Sequence, residues 1–257
     1  MAIRAVVFDI GGVLQITPDL GVDRRWEIRL GLPAGGLGAR MADVWRAGSI
    51  GTITLDDVHQ AIRERLGLDE RQIAAFMADV WQEYLGTANT ELIEYARRLR
   101  PQYRTGILSN SFVGAREREQ AAYGFEDLVD AIIYSHEAGM SKPDPRIYAL
   151  ACARLGVQPG ETVFLDDDDR CVAGAREAGL HTVHYRGNAQ ARAEIGRLLA
   201  TGDRHPHSLC TTSGRATPPA RPGPLGLPTI SLGRVLPPGH ERSGREKTGW
   251  GHCTGCG

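Results

Sequence analysis

Residues 3–14 read IRAVVFDIGGVL. The run to Phe8 is apolar and β-branched, with Arg4 as its single charge, and it is closed by Asp9 and the Gly11–Gly12 pair. An apolar run without polar alternation, ended by an acidic residue and two glycines, reads as a buried parallel strand entering a tight loop. Similar runs recur at 105–108, 131–134, 162–165 and 181–185. Helical patterns at 114–123, 145–155 and 171–178 lie among these later runs, at spacings that suit crossover connections. The chain is therefore expected to be an α/β protein with a Rossmann-like, three-layer parallel sheet core.

The interval from about 14 to 100 breaks the alternation. It offers successive helix patterns over 22–30, 39–45, 55–66, 70–85 and 90–99, with apolar residues three and four apart, and no convincing strand. Thr54, Asp69 and Asn89 stand where N-caps belong. This interval reads as an inserted α-helical cap subdomain, with Trp26, Trp45, Phe76, Trp81 and Tyr84 on its apolar stripes. Arg24, Arg25 and His59 are polar candidates within it. The expected organisation is a core of 1–14 and 101–200, a helical cap over 15–100, and a disordered Pro/Gly-rich tail over 201–257.

Composition supports that division. The whole chain of 257 residues carries a net charge of −1, but the tail has seven basic and three acidic residues while 1–200 has 23 and 28. The tail also holds 8 of the 14 prolines and 11 of the 32 glycines, without helical or alternating period. Its HCxxC at 252–256 resembles half a zinc site, although His205, His207 and Cys210 are far for partners. Near-neutral charge gives no global reason to expect nucleic acid or an anionic membrane as partner. No apolar run is long enough to span a bilayer, the start lacks the features of a secretory signal, and five cysteines suggest no disulfide framework. A cytoplasmic protein is expected.

Ligands of an open parallel sheet bind beyond the carboxyl ends of its strands. Asp9 follows the first strand, Ser109 and Asn110 the second, Lys142 lies in the loop after the third, and Asp166 to Asp169 follow the fourth. Carboxylates from two strand ends can hold a hard divalent cation such as Mg²⁺. A lysine, a hydroxyl and backbone N–H groups can neutralise and orient phosphoryl oxygens. Lys142 stands out, because 28 of the 30 basic residues are arginine and the other lysine, Lys247, is in the tail. Its compact ammonium suits a crowded carboxylate site.

The segments VVFDIGGVL (6–14), GILSNS (106–111), SHEAGMSKPDPRIYALACARLGVQPGE (135–161) and TVFLDDDDRCVAGAREAGLHTV (162–183) occur in register. On them, the chain resembles the haloacid dehalogenase-like hydrolase superfamily, in the subgroup with a helical cap after the first strand. The resemblance implies that Asp9 is a nucleophile forming an aspartyl-phosphate, and that Mg²⁺ is held by Asp9, the Gly11 main-chain carbonyl and Asp167, with Asp166 as a further carboxylate. It implies that Ser109 and the Asn110 amide bind the phosphoryl group, and that Lys142 compensates charge on nucleophile and phosphate. The substrate would be a small phosphorylated metabolite, possibly a sugar phosphate.

Two positions depart from the commonest pattern of that superfamily. Gly11 stands where a second aspartate usually protonates the leaving group, and Cys171 where Asn or Asp is common. A positioned acid or base contributes about 10²- to 10⁴-fold in rate. Two other readings stay open: a 2-haloacid dehalogenase-type hydrolase, and a weak or inactive enzyme that binds a phospho-ligand.

Overall fold

In the computed structural model, residues 2–202 are described. Five parallel strands, β1 (Ala5–Phe8), β4 (Arg104–Ser109), β5 (Ala131–Tyr134), β6 (Thr162–Asp166) and β7 (His181–His184), form one sheet in the order β5-β4-β1-β6-β7. Alternate residues of a strand face opposite sides, and both sides are covered. Val6, Phe8, Ile107 and Leu165 pack against α5 (Thr90–Leu99), α7 (Phe125–Leu128) and α11 (Asn188–Gly202). Ala5, Val7, Leu108 and Phe164 pack against α9 (Pro145–Leu155) and α10 (Asp169–Glu177). The arrangement is the expected three-layer α/β fold.

Register explains why the polar strand ends meet. Phe8 lies beside Ile107 on β4 and Leu165 on β6. The next positions along the central strands, Asp9 and Asp166, therefore come to one edge of the sheet, and Ser109 closes β4 two residues beyond Ile107.

Between β1 and β4 the chain builds α1 (Val22–Leu30), α2 (Gly36–Ser49), α3 (Leu55–Leu66) and α4 (Glu70–Leu85), which share a separate apolar cluster. Trp26, Trp45, Phe76, Trp81 and Tyr84 all lie in that cluster. Thr54 and Asp69 form capping boxes with Asp57 and Gln72, and the Asn89 side chain accepts from Leu92 N–H. Two strands of two residues, β2 (Gln15–Ile16) and β3 (Thr87–Ala88), pair antiparallel at the neck of the insertion. The sequence offers no strand here, because two residues cannot display a period of two. The remaining helices are α6 (Ala115–Tyr123) and α8 (Ser135–Ala138). The expected tail and its HCxxC fall in 203–257, outside the described residues.

The insertion is docked on the same sheet edge as the polar residues. Val113 N–H donates to the Gly48 carbonyl at 3.1 Å, and Ser135 Oγ donates to the Ser49 carbonyl at 2.7 Å. A Cβ on Gly48 would meet the Phe112 ring at 2.3 Å. Gly51, at φ +65°, lies so close to the His136 carbonyl that a Cβ would sit 1.8 Å from its oxygen. Gly51→Ala is expected to cost roughly 2 kcal/mol or more in urea unfolding, because a left-handed backbone and a backbone clash act together. A loss within about 0.5 kcal/mol would show that this docking contact gives way freely.

Candidate active site

The sheet edge buries a lysine between two carboxylates. Lys142 Nζ lies 2.8 Å from Asp9 Oδ1 and 2.6 Å from Asp166 Oδ2, with all three residues buried. Burial alone would lower the Lys142 ammonium, but Asp166 and Asp9 outweigh it and hold the pKa well above the usual lysine value. Lys142 is therefore a fixed positive charge. Burial raises the Asp9 carboxyl well above its usual range, Lys142 opposes that rise, and Asp166 and Asp167 add to it.

Asp9, Asp166 and Asp167 can place one oxygen each within 4.8 Å of one another. Three carboxylates and one ammonium leave an excess of negative charge in a buried place, and hard oxygen donors in that number fit a divalent cation such as Mg²⁺. The two strand-end aspartates differ in availability. Asp166 is fully buried, with Oδ2 on Lys142 and Oδ1 accepting from Asp168 N–H at 2.8 Å. Asp167 is half-buried and rests on Gly12, where a Cβ would meet its Oδ2 at 2.2 Å. Gly12 has φ +72°, so both its backbone and the carboxylate above it call for glycine. Burial and then Asp166 push the Asp167 carboxyl up to about 6.

The other half of the four-aspartate run turns to structural work. Asp168 caps α10 by accepting from Arg170 N–H at 2.7 Å and pairs with the Arg170 guanidinium. Asp169 is exposed and lies 3.1 Å from His184 Nδ1. The other ring nitrogen of His184 is 3.0 Å from the Asp167 carbonyl. His184 therefore bridges both sides of the acidic loop, a role the sequence did not suggest because it sits one strand away in a run read as sheet.

Asn110 holds the lysine in place. Its Oδ1 accepts from Lys142 N–H at 2.8 Å and its Nδ2 donates to the Lys142 carbonyl at 3.1 Å. Both polar atoms of its side-chain amide are thus engaged by the Lys142 main chain. Ser109 is buried at the end of β4 and its hydroxyl has only a long, 3.4 Å contact to the Asn110 carbonyl. Behind this loop, Ser111 Oγ lies 2.6 Å from His136 Nδ1, and Ser111 N–H donates to Ser135 Oγ at 2.8 Å. Burial lowers the His136 imidazole, so this bridge between the loops after β4 and β5 is neutral.

Cys171 is buried beside the site with its thiol pushed up by burial, so it stays protonated. Gly11 brings no side chain to the group. The structure does not bring Arg24, Arg25 or His59 to this edge. Arg24 pairs with Glu27, Arg25 with Asp79, and His59 lines a separate hollow of about 500 Å³ with Arg63, Trp81 and Arg118.

Comparison with known proteins agrees with this fold. The profile of the haloacid dehalogenase-like hydrolases matches residues 3–179. The chain belongs to that family. It is 32% identical over 215 residues to Phosphatase MT3486 of Mycobacterium tuberculosis, covering 78% of this chain and 95% of that protein. It is 24% identical over 211 residues to D-ribitol-5-phosphate phosphatase of Bacteroides thetaiotaomicron, covering 77% and 98%. A crystal structure of a HAD family enzyme from the same bacterium, in complex with magnesium and inorganic phosphate, superposes with a TM-score of 0.64. The identity is 24%, over 75% of this chain and 99% of that one. Among the described residues no helix is long and apolar enough to cross a membrane.

The raised Asp167 carboxyl has a consequence for stability. A folded-state pKa of about 6, above the ordinary 3.8, means that the folded chain holds its proton more tightly than the unfolded one. Its contribution to stability is full below the unfolded value and falls as pH rises through about 6. Metal-free protein is thus expected to lose thermal stability between about pH 4 and about pH 6.5, and added Mg²⁺ to restore it. Asp167→Asn should weaken both responses, since Asp9 and Asp23 are raised as well; an unchanged Mg²⁺ shift of Tm in that variant would remove Asp167 from the cation site.

Proposed function

We propose that the chain is a Mg²⁺-dependent phosphatase of a small phosphorylated metabolite, working through an aspartyl-phosphate on Asp9. The observation that carries this reading is the pairing of Asp9 with the permanently charged Lys142 inside a three-carboxylate cluster. The resemblance to a protein named as a phosphatase, over 78% of this chain and 95% of that protein, supports it. Asp9, Asp167 and the Gly11 main-chain carbonyl would hold the cation, with Asp166 behind them fixing Lys142. Bound there, Mg²⁺ would supply charge neutralisation for the phosphoryl group and allow Asp9 to stay ionised.

In the first step an Asp9 carboxylate oxygen attacks phosphorus, the ester P–O bond breaks, and the alkoxide leaves with its electron pair. Water then attacks the acyl-phosphate phosphorus, releasing inorganic phosphate and restoring the carboxylate. Ser109 Oγ, the Asn110 N–H and the Lys142 ammonium stabilise the charge that spreads over the phosphoryl oxygens. With Gly11 beside the nucleophile, no side chain of this loop protonates the leaving oxygen, so the proton is drawn from water. Phosphates with acidic leaving groups are then favoured over alkyl phosphates.

Of residues 15–100, expected as the cap, those through β3 would serve as a cap, while α5 packs on the sheet and joins residues 1–14 and 101–200 in the core. The insertion's contacts at Gly48, Ser49 and Gly51 fall on the loops that follow β4 and β5. A lid joined at the catalytic edge excludes water and shapes the substrate space. A carbon–halogen displacement makes no comparable use of the Asp166–Asp167 pair, which favours phosphoryl transfer.

Wild-type protein is expected to hydrolyse p-nitrophenyl phosphate with Mg²⁺ and to lose that activity with chelator. Asp9→Asn should lower kcat by about 10³-fold or more, and retention of activity would overturn the nucleophile assignment. Gly11→Asp should raise turnover of alkyl phosphates by about 10²-fold while affecting p-nitrophenyl phosphate far less. Tight phosphate binding with no turnover across a panel of phosphometabolites would instead mark a binding protein.

A further inference from the structure

The hollow of about 500 Å³ that His59 lines lies where α3 and α4 of the insertion meet α6 of the core, and none of Asp9, Ser109, Asn110, Lys142 or Asp167 borders it. Ile73, Ala74, Met77 and Trp81 come at three- and four-residue spacings along α4 and give it an apolar lining. His59 and Arg63, one turn apart on α3, and Arg118 from α6 bring the polar groups. Its volume falls in the range of small-molecule sites, roughly 300–1,000 Å³.

Arg118 is held there without an acid to match it. Its guanidinium carbon stands 4.1 Å from the centroid of the Trp81 ring, and its Nη1 donates to the Gly114 carbonyl at 2.8 Å. Gly114 has φ +86°, and a Cβ on it would come 2.7 Å from that same nitrogen. The glycine, the carbonyl and the ring thus fix the guanidinium before any ligand arrives. None of the described carboxylates pairs with it, so most of its N–H donors find no acceptor in the protein. Burial lowers its pKa, and the neighbouring Glu117 offsets that only in part. The Trp81 indole N–H is likewise buried without a hydrogen-bond partner. Arg63, in contrast, has Glu70 Oε1 at 3.5 Å. With that pair cancelling, Arg118 leaves the lining one positive charge in excess, even with a neutral His59.

We propose that this hollow is a second ligand site, separate from the catalytic edge, and that it takes a carboxylate carried on an aliphatic body. The single unmatched charge calls for a monoanion, because a half-buried cation is costly until a counter-charge reaches it. The planar fork of a guanidinium suits the two oxygens of a carboxylate. The stripe on α4 offers nothing polar to the rest of the molecule, which is therefore apolar. A molecule lodged there rests on α3 and α4 at one side and on Arg118 at the other. Its binding favours the docked insertion over any arrangement that parts these helices.

Titration of the full chain with octanoate, in the presence of Mg²⁺ and excess inorganic phosphate, tests this by calorimetry and by tryptophan fluorescence. Octanoate is expected to bind saturably and to raise Tm. Acetate, which has the charge without the body, and 1-octanol, which has the body without the charge, should each bind at least about 10-fold more weakly. Arg118→Leu should weaken octanoate by about 10-fold or more, with Arg118→Lys falling between, since it keeps the charge and loses the fork. Ala74 is exposed on α4, so Ala74→Phe fills the hollow without entering the core and should block binding. The proposal is overturned if octanoate fails to saturate, if phosphate displaces it, if 1-octanol binds as well, or if Arg118→Leu and Ala74→Phe leave its affinity unchanged. Should Arg118→Leu fail to fold, unchanged affinity in Ala74→Phe alone overturns it.

Discussion

The site depends on one buried ammonium. Lys142 neutralises Asp9 and Asp166 together at 2.8 and 2.6 Å, and without it two carboxylates would face each other out of water. Removing one partner of a buried pair typically costs about 3–5 kcal/mol, because the remaining charge is left uncompensated. Much of the surrounding structure serves to fix that ammonium. Asn110 grips both main-chain polar groups of Lys142, and Gly174 on α10 leaves room for the adjoining Pro143, where a Cβ would meet the proline ring at 2.7 Å. The loop after β4, the loop after β5 and α10 thus converge on one side chain.

The sheet was legible because its strands are buried on both faces and read as continuous apolar runs. The run 131–134 coincides with β5, and 55–66, 70–85 and 145–155 coincide with α3, α4 and α9. Their ends carry strong local signals, such as the capping residues Thr54 and Asp69, or Pro145 at the first turn of α9. Asp9, Ser109, Asp166 and Asp167 were legible for a related reason, since each stands at or just beyond a strand end, while Lys142, farther along the loop after β5, stood out as the one lysine before the tail. The β2–β3 neck was not, because its pairing joins residues more than seventy positions apart and is only two residues long.

Roles within the site were less legible than membership. Four adjacent aspartates look equivalent in sequence, yet the turn from β6 into α10 sends them to four different tasks. Asp166 supports Lys142, Asp167 faces the cluster, Asp168 caps the helix, and Asp169 meets His184 at the surface. That division follows from direction: the last residue of a strand, two loop positions and the first residue of a helix point to different quarters. His184 gave no signal, because it acts on neighbours of another element rather than through a local motif.

The glycine pair after Asp9 shows how fold and chemistry constrain the same loop differently. Gly12 is fixed by structure, since a left-handed backbone and the Asp167 carboxylate both exclude a side chain. Gly11 has no positive φ, so its backbone does not call for glycine. Backbone conformation alone therefore does not impose the absence of an acid there. On the proposed chemistry, a site that forgoes this acid while keeping Asp9, Lys142 and the carboxylate cluster would retain its means of binding and attacking a phosphoryl group. Its rate would then be set mainly by how readily the departing oxygen leaves unprotonated, which would make the chemistry of the leaving group a determinant of specificity alongside the shape of the insertion above it.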